Sequence, residues 1–176
     1  MKERYSFAIE IAQTWFKRLK HLETEGRLEE FKKVIANKTM VGESVGNQEH
    51  QHLVSYAHET IFFYAIVDHD LGINCYDPEF ALGVFNKYGL DHVSYESKGI
   101  CSTLTEVRKT IVRVYNEIAK SSLYNEEEGA VMYLVKRGGP GKDFTLSLCK
   151  VKTSEYRLYR KLREMLRNQA AKSTGT

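Results

Sequence analysis

The sequence predicts an α+β domain of antiparallel sheets with flanking helices, on three observations. Apolar residues recur at helical spacing in two long segments, Phe7, Ile11, Trp15, Leu19 and Leu22, then Leu104, Val107, Ile111, Val114 and Ile118. The run Ile61-Phe62-Phe63-Tyr64-Ala65-Ile66-Val67 is short, apolar and rich in branched and aromatic side chains, the composition of a buried strand. Two further strand-like runs flank Arg137-Gly138-Gly139-Pro140-Gly141, a turn that would fold them into a hairpin.

A chain of 176 residues with 42% hydrophobic and 28% charged residues is about the size of one domain with its own core. No apolar run is long enough to span a bilayer, and Met1-Lys2-Glu3-Arg4-Tyr5 lacks the apolar stretch of a signal peptide. A soluble, intracellular protein, cytoplasmic or nuclear, is therefore expected, with no membrane partner. Cys75, Cys101 and Cys149 have no paired-metal spacing and are expected as reduced thiols. The net charge of +3 is mild, but between Lys136 and Lys172 eleven Lys or Arg stand against three Asp or Glu. Such a concentration fits a polyanionic partner.

The first helix is expected over about Glu3 to Glu25 and, after a break at Gly26, a second over about Leu28 to Ala36, so residues 1–36 read as helical. Lys38 to Ser44 alternates as a strand that delivers Glu43 to an edge, and Gln51 to Tyr56 could pair as another. Pro78 opens a helix that ends before Gly89, and His92 to Glu96 reads as a strand. Ser102 or Thr103 caps the second long helix. Glu128 to Val135 and Phe144 to Lys152 form the hairpin, and a helix follows from about Thr153 to Arg167. Residues 168–176 read as a flexible tail.

Alternation along the last strand points Lys150 and Lys152 to one side and Cys149 and Val151 to the other. On the lysines alone, a solvated edge is the simpler reading. A partner strand opening at Glu128 could bring a carboxylate to the ammonium groups, the combination that holds a metal-bound nucleotide phosphate. His50 and His52 share a face beside Glu49, yet no third ligand has zinc-site spacing. Gly138 to Lys142 lacks the spacing and the following Ser or Thr of a phosphate-cradling loop.

Taken in order, Val41-Gly42-Glu43, Phe62-Phe63-Tyr64-Ala65-Ile66, Glu128-Gly129-Ala130-Val131 and Lys150-Val151-Lys152 resemble the later nucleotidyltransferase motifs of ATP-dependent RNA ligases. The likeness is to the adenylyltransferase domain of fungal-type tRNA ligases and related phage RNA ligases. It extends to His52-Leu53-Val54-Ser55-Tyr56 and to Tyr159-Arg160-Lys161-Leu162-Arg163-Glu164, covering about Phe16 to Arg167. The resemblance implies part of an ATP-grasp-like ligase adenylation fold, with residues 37–167 as nucleotide-binding core and basic helix. It also implies ATP and magnesium as cofactors, and RNA 5′-phosphate and 3′-hydroxyl ends as substrates. By the same likeness Glu43 would contact the ribose or position the lysine-nucleotide. Phe63, or alternatively Phe62, would stack on adenine. Glu128 would hold magnesium through water, Lys150 and Lys152 would bind the nucleotide phosphates, and Arg160 and Arg163 would contact RNA phosphates.

One departure is large. Such ligases carry a nucleophilic lysine in Lys-x-Asp-Gly, and no such tetrad occurs here; Lys136-Arg137-Gly138-Gly139 and Lys87-Tyr88-Gly89 are the nearest strings and stand out of order. The expectation is that the nucleophile segment is truncated, split or lost. An N-terminal half on another chain could supply it, and this chain alone should not label itself with adenylate. The alternative expectation is a non-catalytic RNA- or nucleotide-binding module on the same fold.

Overall fold

The computed structural model describes residues 6–46, 53, 54, 56–69, 75–121, 128–138 and 143–173. Among these the chain is a mixed α+β protein with five helices and two small antiparallel two-stranded sheets. The described residues cluster into two compact units, each drawn from separated stretches of sequence.

The first unit holds α1 (Ser6–Thr24), α2 (Leu28–Val34), β1 (Lys38–Val45), β2 (Thr60–Asp68) and α3 (Pro78–Lys87). Strands β1 and β2 pair antiparallel from Lys38 opposite Asp68 to Val45 opposite Thr60, with a register shift between Val41 and Gly42. One face of β2 is covered by the helices: Phe63 and Ile66 pack with Leu22, Phe31, Ala81, Leu82, Phe85 and Tyr88, and Trp15 and Leu19 close the cluster. The predicted stripe of α1 thus faces the core from Trp15 onward, whereas Ile11 is exposed. Pro78 stands in the first turn of α3, where its missing N–H costs no hydrogen bond.

The segment read as a strand at His92 to Glu96 makes a single parallel bridge, His92 opposite Phe63. The Phe63 N–H donates to the Asp91 carbonyl, and the Val93 N–H to the Phe63 carbonyl. Beyond it Glu96, Ser97 and Lys98 are exposed and offer no apolar alternation to hold a ladder. The strand expected at Gln51 to Tyr56, with His50 and His52, lies largely outside the described residues, as does the Gly139 to Lys142 turn.

The second unit contains α4 (Leu104–Lys120), the open end of the hairpin formed by β3 (Gly129–Lys136) and β4 (Phe144–Lys152), and α5 (Ser154–Ser173). Thr103, not Ser102, caps α4. Its hydroxyl accepts from the Glu106 N–H, and the Glu106 carboxylate accepts from the Thr103 N–H, a reciprocal box worth about 1 kcal/mol. Only Val114 of the α4 apolar stripe is buried. Helix α5 runs on to Ser173 instead of ending near Arg167, because Asn168 to Lys172 contains neither Gly nor Pro to stop it.

The turn end of the hairpin belongs to the first unit. Its base is clamped by Arg137, which donates to Asp143 at 2.7 Å while the Gly138 N–H donates to the other Asp143 oxygen at 2.8 Å. Tyr76 bridges Phe144, and the Thr145 N–H donates to the Cys75 carbonyl.

Candidate nucleotide-phosphate site

Strand β4 passes into α5 through Thr153, a residue with no exposed surface. Its N–H donates to the Glu128 carbonyl at 3.1 Å, and its hydroxyl accepts from the Tyr156 N–H at 3.1 Å. One threonine therefore ends the strand, caps the helix and fixes the residue that opens β3. Val151 is buried, so alternation turns Lys150 and Lys152 to the opposite side of β4.

Lys152 Nζ lies 2.6 Å from Glu128 Oε2 and 4.4 Å from the centre of the Tyr156 ring. The Glu128 residue is 8% exposed and is paired, as a buried carboxylate must be. The ring faces the ammonium with its electron-rich side, a second source of attraction for the cation. Lys150, one pleat away, is exposed.

Gly129 makes this approach possible. Its φ of 151° and its contact with the opposite strand leave no space for a Cβ, which would fall on the Val151 carbonyl oxygen and 2.8 Å from Lys152 Cα. The Glu-Gly pair that opens β3 thus works as a unit, the glycine admitting β4 and the glutamate meeting its last lysine.

The first unit brings a different pair together. Glu43 is the register partner of Phe62, so the two side chains share one sheet face, and Tyr56 lies beside the Phe62 ring at 6.3 Å between centroids. Phe63 turns the other way. Its ring packs 5.7 Å from Trp15 and 5.2 Å from Phe85, leaving the residue 6% exposed. The expectation that Phe63 presents its ring to a base is corrected on this ground; Phe62 is the ring on the Glu43 face. Gly42 has a packing reason too, since a Cβ there would stand 2.8 Å from Ile61 Cγ2 and 3.0 Å from Phe63 Cδ1. Its lack of a side chain is used by Ile61 and Phe63.

Arg160 is exposed on α5, and Arg163 is half-buried beside Glu164. Among the described residues no group of three or more His, Cys, Asp or Glu side chains converges into a metal cage. Magnesium bound through waters and substrate phosphates needs only one or two carboxylates, and Glu128 is of the right chemistry for that.

Elsewhere in the first unit, burial pushes the Tyr133 phenol above its ordinary range, with Cys75, Tyr64 and Tyr95 adding to the effect. The same cause raises the Cys75 thiol and the Asp77 carboxyl, the latter opposed by Arg137. These groups tie strands and loops together, as the Tyr133 hydroxyl does by donating to the Tyr64 carbonyl at 2.5 Å.

Tyr156 and Thr153 are the contributors that sequence reasoning missed. The available signal was spacing: a Tyr four residues after a strand-terminal Lys, across a Thr that can cap, returns over the lysine within the first helical turn.

No family model, curated protein or solved structure matches this chain. The residues of the two units therefore carry the functional reading by themselves.

Proposed function

We propose that this chain is the C-terminal portion of an RNA ligase adenylyltransferase domain, which binds ATP with magnesium and acts on RNA 5′-phosphate and 3′-hydroxyl ends. The observation that carries the reading is the Glu128–Lys152 pair. A phosphate-binding lysine and a magnesium-binding carboxylate from adjacent strands lie within 2.6 Å of each other, where the resembled motifs require both.

In this reading Lys150 and Lys152 hold the nucleotide phosphates. Glu128 binds water-coordinated magnesium, which would neutralise phosphate charge when bound. Within the first unit, Glu43 and Phe62 share a sheet face suited to a ribose and a base; by the resemblance Glu43 would contact the ribose or position the lysine-nucleotide, and the ring beside it would stack on adenine. Arg160 and Arg163 contact RNA phosphates, which fix position without reading sequence. The nucleophilic lysine comes from a segment that another chain could supply. In the free protein the ion pair orders both groups; with a nucleotide bound, Lys152 would serve the phosphate and Glu128 would hold the metal.

A second reading has its own support, the lack of any Lys-x-Asp-Gly string in the 176 residues. It is a non-catalytic nucleotide- or RNA-binding module using the same groups.

Titration of the full chain with ATP and magnesium, followed by fluorescence of a labelled ATP analogue, tests the shared core of both readings. Lys152→Met should weaken binding about tenfold, the loss of roughly 1.4 kcal/mol, and Phe62→Ala should cost about 1–3 kcal/mol of stacking. Glu128→Gln should abolish the magnesium dependence. Binding indifferent to all three substitutions overturns the proposal. Incubation with radiolabelled ATP should leave no covalent adenylate on this chain, and a segment bearing Lys-x-Asp-Gly added in trans should restore labelling for the ligase but not for the module.

A further inference from the structure

Helix α5 carries an apolar face that no other described residue buries and that the nucleotide reading does not use. No described residue of α5 is buried. At about 100° per residue, Leu158, Tyr159, Leu162, Met165 and Leu166 fall within an arc of about 120°, a core-facing width. Yet Leu158 is 56% exposed, Leu162 45%, Met165 60% and Leu166 66%. Along one edge of this arc, Tyr159, Leu162, Leu166 and Ala170 form an open groove of about 560 Å³ with Leu53, and Arg163 and Arg167 stand on its wall.

From this geometry we propose that the α5 groove is a docking site for an acidic amphipathic helix of a partner protein. Charge selects the occupant. The groove is lined by two positive residues, Arg163 and Arg167, and by no negative one. A second copy laid along the same face would set like charges against each other, whereas glutamates flanking an apolar stripe would meet the arginines of the wall. Leu53 beside α5 gives the apolar strip a second side, against which leucines of a partner helix could pack. An RNA backbone has no apolar groups to place among leucines. Anchors one helical turn apart on the partner would occupy the space between Leu162 and Leu166. The proposal does not depend on ATP binding; Arg163 is the one residue shared with the RNA role.

The probe is a fluorescein-labelled helical peptide with leucines at i, i+4, i+7 and i+11 and glutamates on its remaining faces. Its anisotropy is measured against the full chain. Controls are a scrambled peptide of equal composition, a lysine version of the same pattern, phosphatidylcholine–phosphatidylserine vesicles and a 5′-phosphorylated RNA oligonucleotide. The acidic peptide should bind, more weakly as salt rises. Binding should fall at least tenfold with the exposed double substitution Leu162→Glu, Leu166→Glu and several-fold with Arg167→Gln, while Leu166→Met retains it and circular dichroism stays native. Equal binding of the scrambled or lysine peptide overturns the proposal. So does no binding to the acidic peptide, or vesicle or RNA binding that the leucine substitutions abolish while peptide binding survives.

Discussion

Tyr133 places a polar hydroxyl in an environment that favours its neutral form, and the consequence is a stability that depends on alkaline pH. In the folded chain the phenol donates to the Tyr64 carbonyl and is held above its usual range by burial. The unfolded chain releases that proton near pH 10, about the ordinary tyrosine value. Above that pH the unfolded state binds fewer protons than the folded one, so stability falls as pH rises. The chain has eleven tyrosines, so the comparison must be between wild type and Tyr133→Phe. The variant should lose about 1 kcal/mol at neutral pH, a hydrogen bond whose acceptor stays behind. The gap should narrow above about pH 10, measured by urea unfolding at each pH. A gap constant with pH would show that Tyr133 ionises equally in both states. The pair Phe62 and Phe63 marks the limit of sequence reading at this scale. Adjacent aromatics on a strand must face opposite ways, but which one faces the core goes with the bulge at Tyr64 of β2, opposite Val41 and Gly42 and invisible in composition.

At the scale of elements, the hairpin was legible because its three signals agree: alternation, a Gly-rich turn and an acidic residue opening the first strand. The Glu128–Lys152 meeting follows from that alternation together with the hairpin pairing that Gly129 admits. The start of α5 was legible near Thr153. Its end was not, since polar composition after Arg167 suggested a tail while every residue there tolerates a helix. His92 to Glu96 failed as a strand because one bridge to Phe63 was all the partner it had. What holds the open end of the hairpin together is Gly129. Gly129→Ala would force an L-residue into a φ of 151° and drive its Cβ onto the backbone of Val151 and Lys152, neither of which can turn aside as a side chain could. The strain alone is about 1–3 kcal/mol. Thermal unfolding should register at least that loss. If the chain binds ATP with magnesium as proposed, the magnesium-dependent part of that binding should fall with it, since Glu128 would no longer meet Lys152. Unchanged stability would mean that β3 and β4 separate at this point in solution.

At the scale of the whole molecule, the sequence reads as one domain because its length and hydrophobic content suit a single core, whereas burial is uneven. The hydrophobic cluster of Leu22, Phe31, Phe63, Ile66, Leu82, Phe85 and Tyr88 lies wholly in the first unit. In the second unit α4 buries only Val114, and no described residue of α5 is buried. Helical periodicity reports which residues share a stripe, but not whether anything covers it, so the α4 stripe lies on a helix as its spacing predicts while only Val114 of it is buried. Local stability follows covered apolar surface more than hydrogen-bond count. Native-state hydrogen exchange should therefore rank β2 and α3 amides as most protected and those of α4 and α5 as the first to open. Phe85→Ala empties the centre of the cluster and should cost about 3–5 kcal/mol, lowering protection across β2 and α3. Equal protection of all four elements would mean that the exposed stripes of α4 and α5 are covered in solution. Sedimentation of the same sample would then tell whether a second copy does the covering, by showing a dimer in place of a single chain of 20.3 kDa.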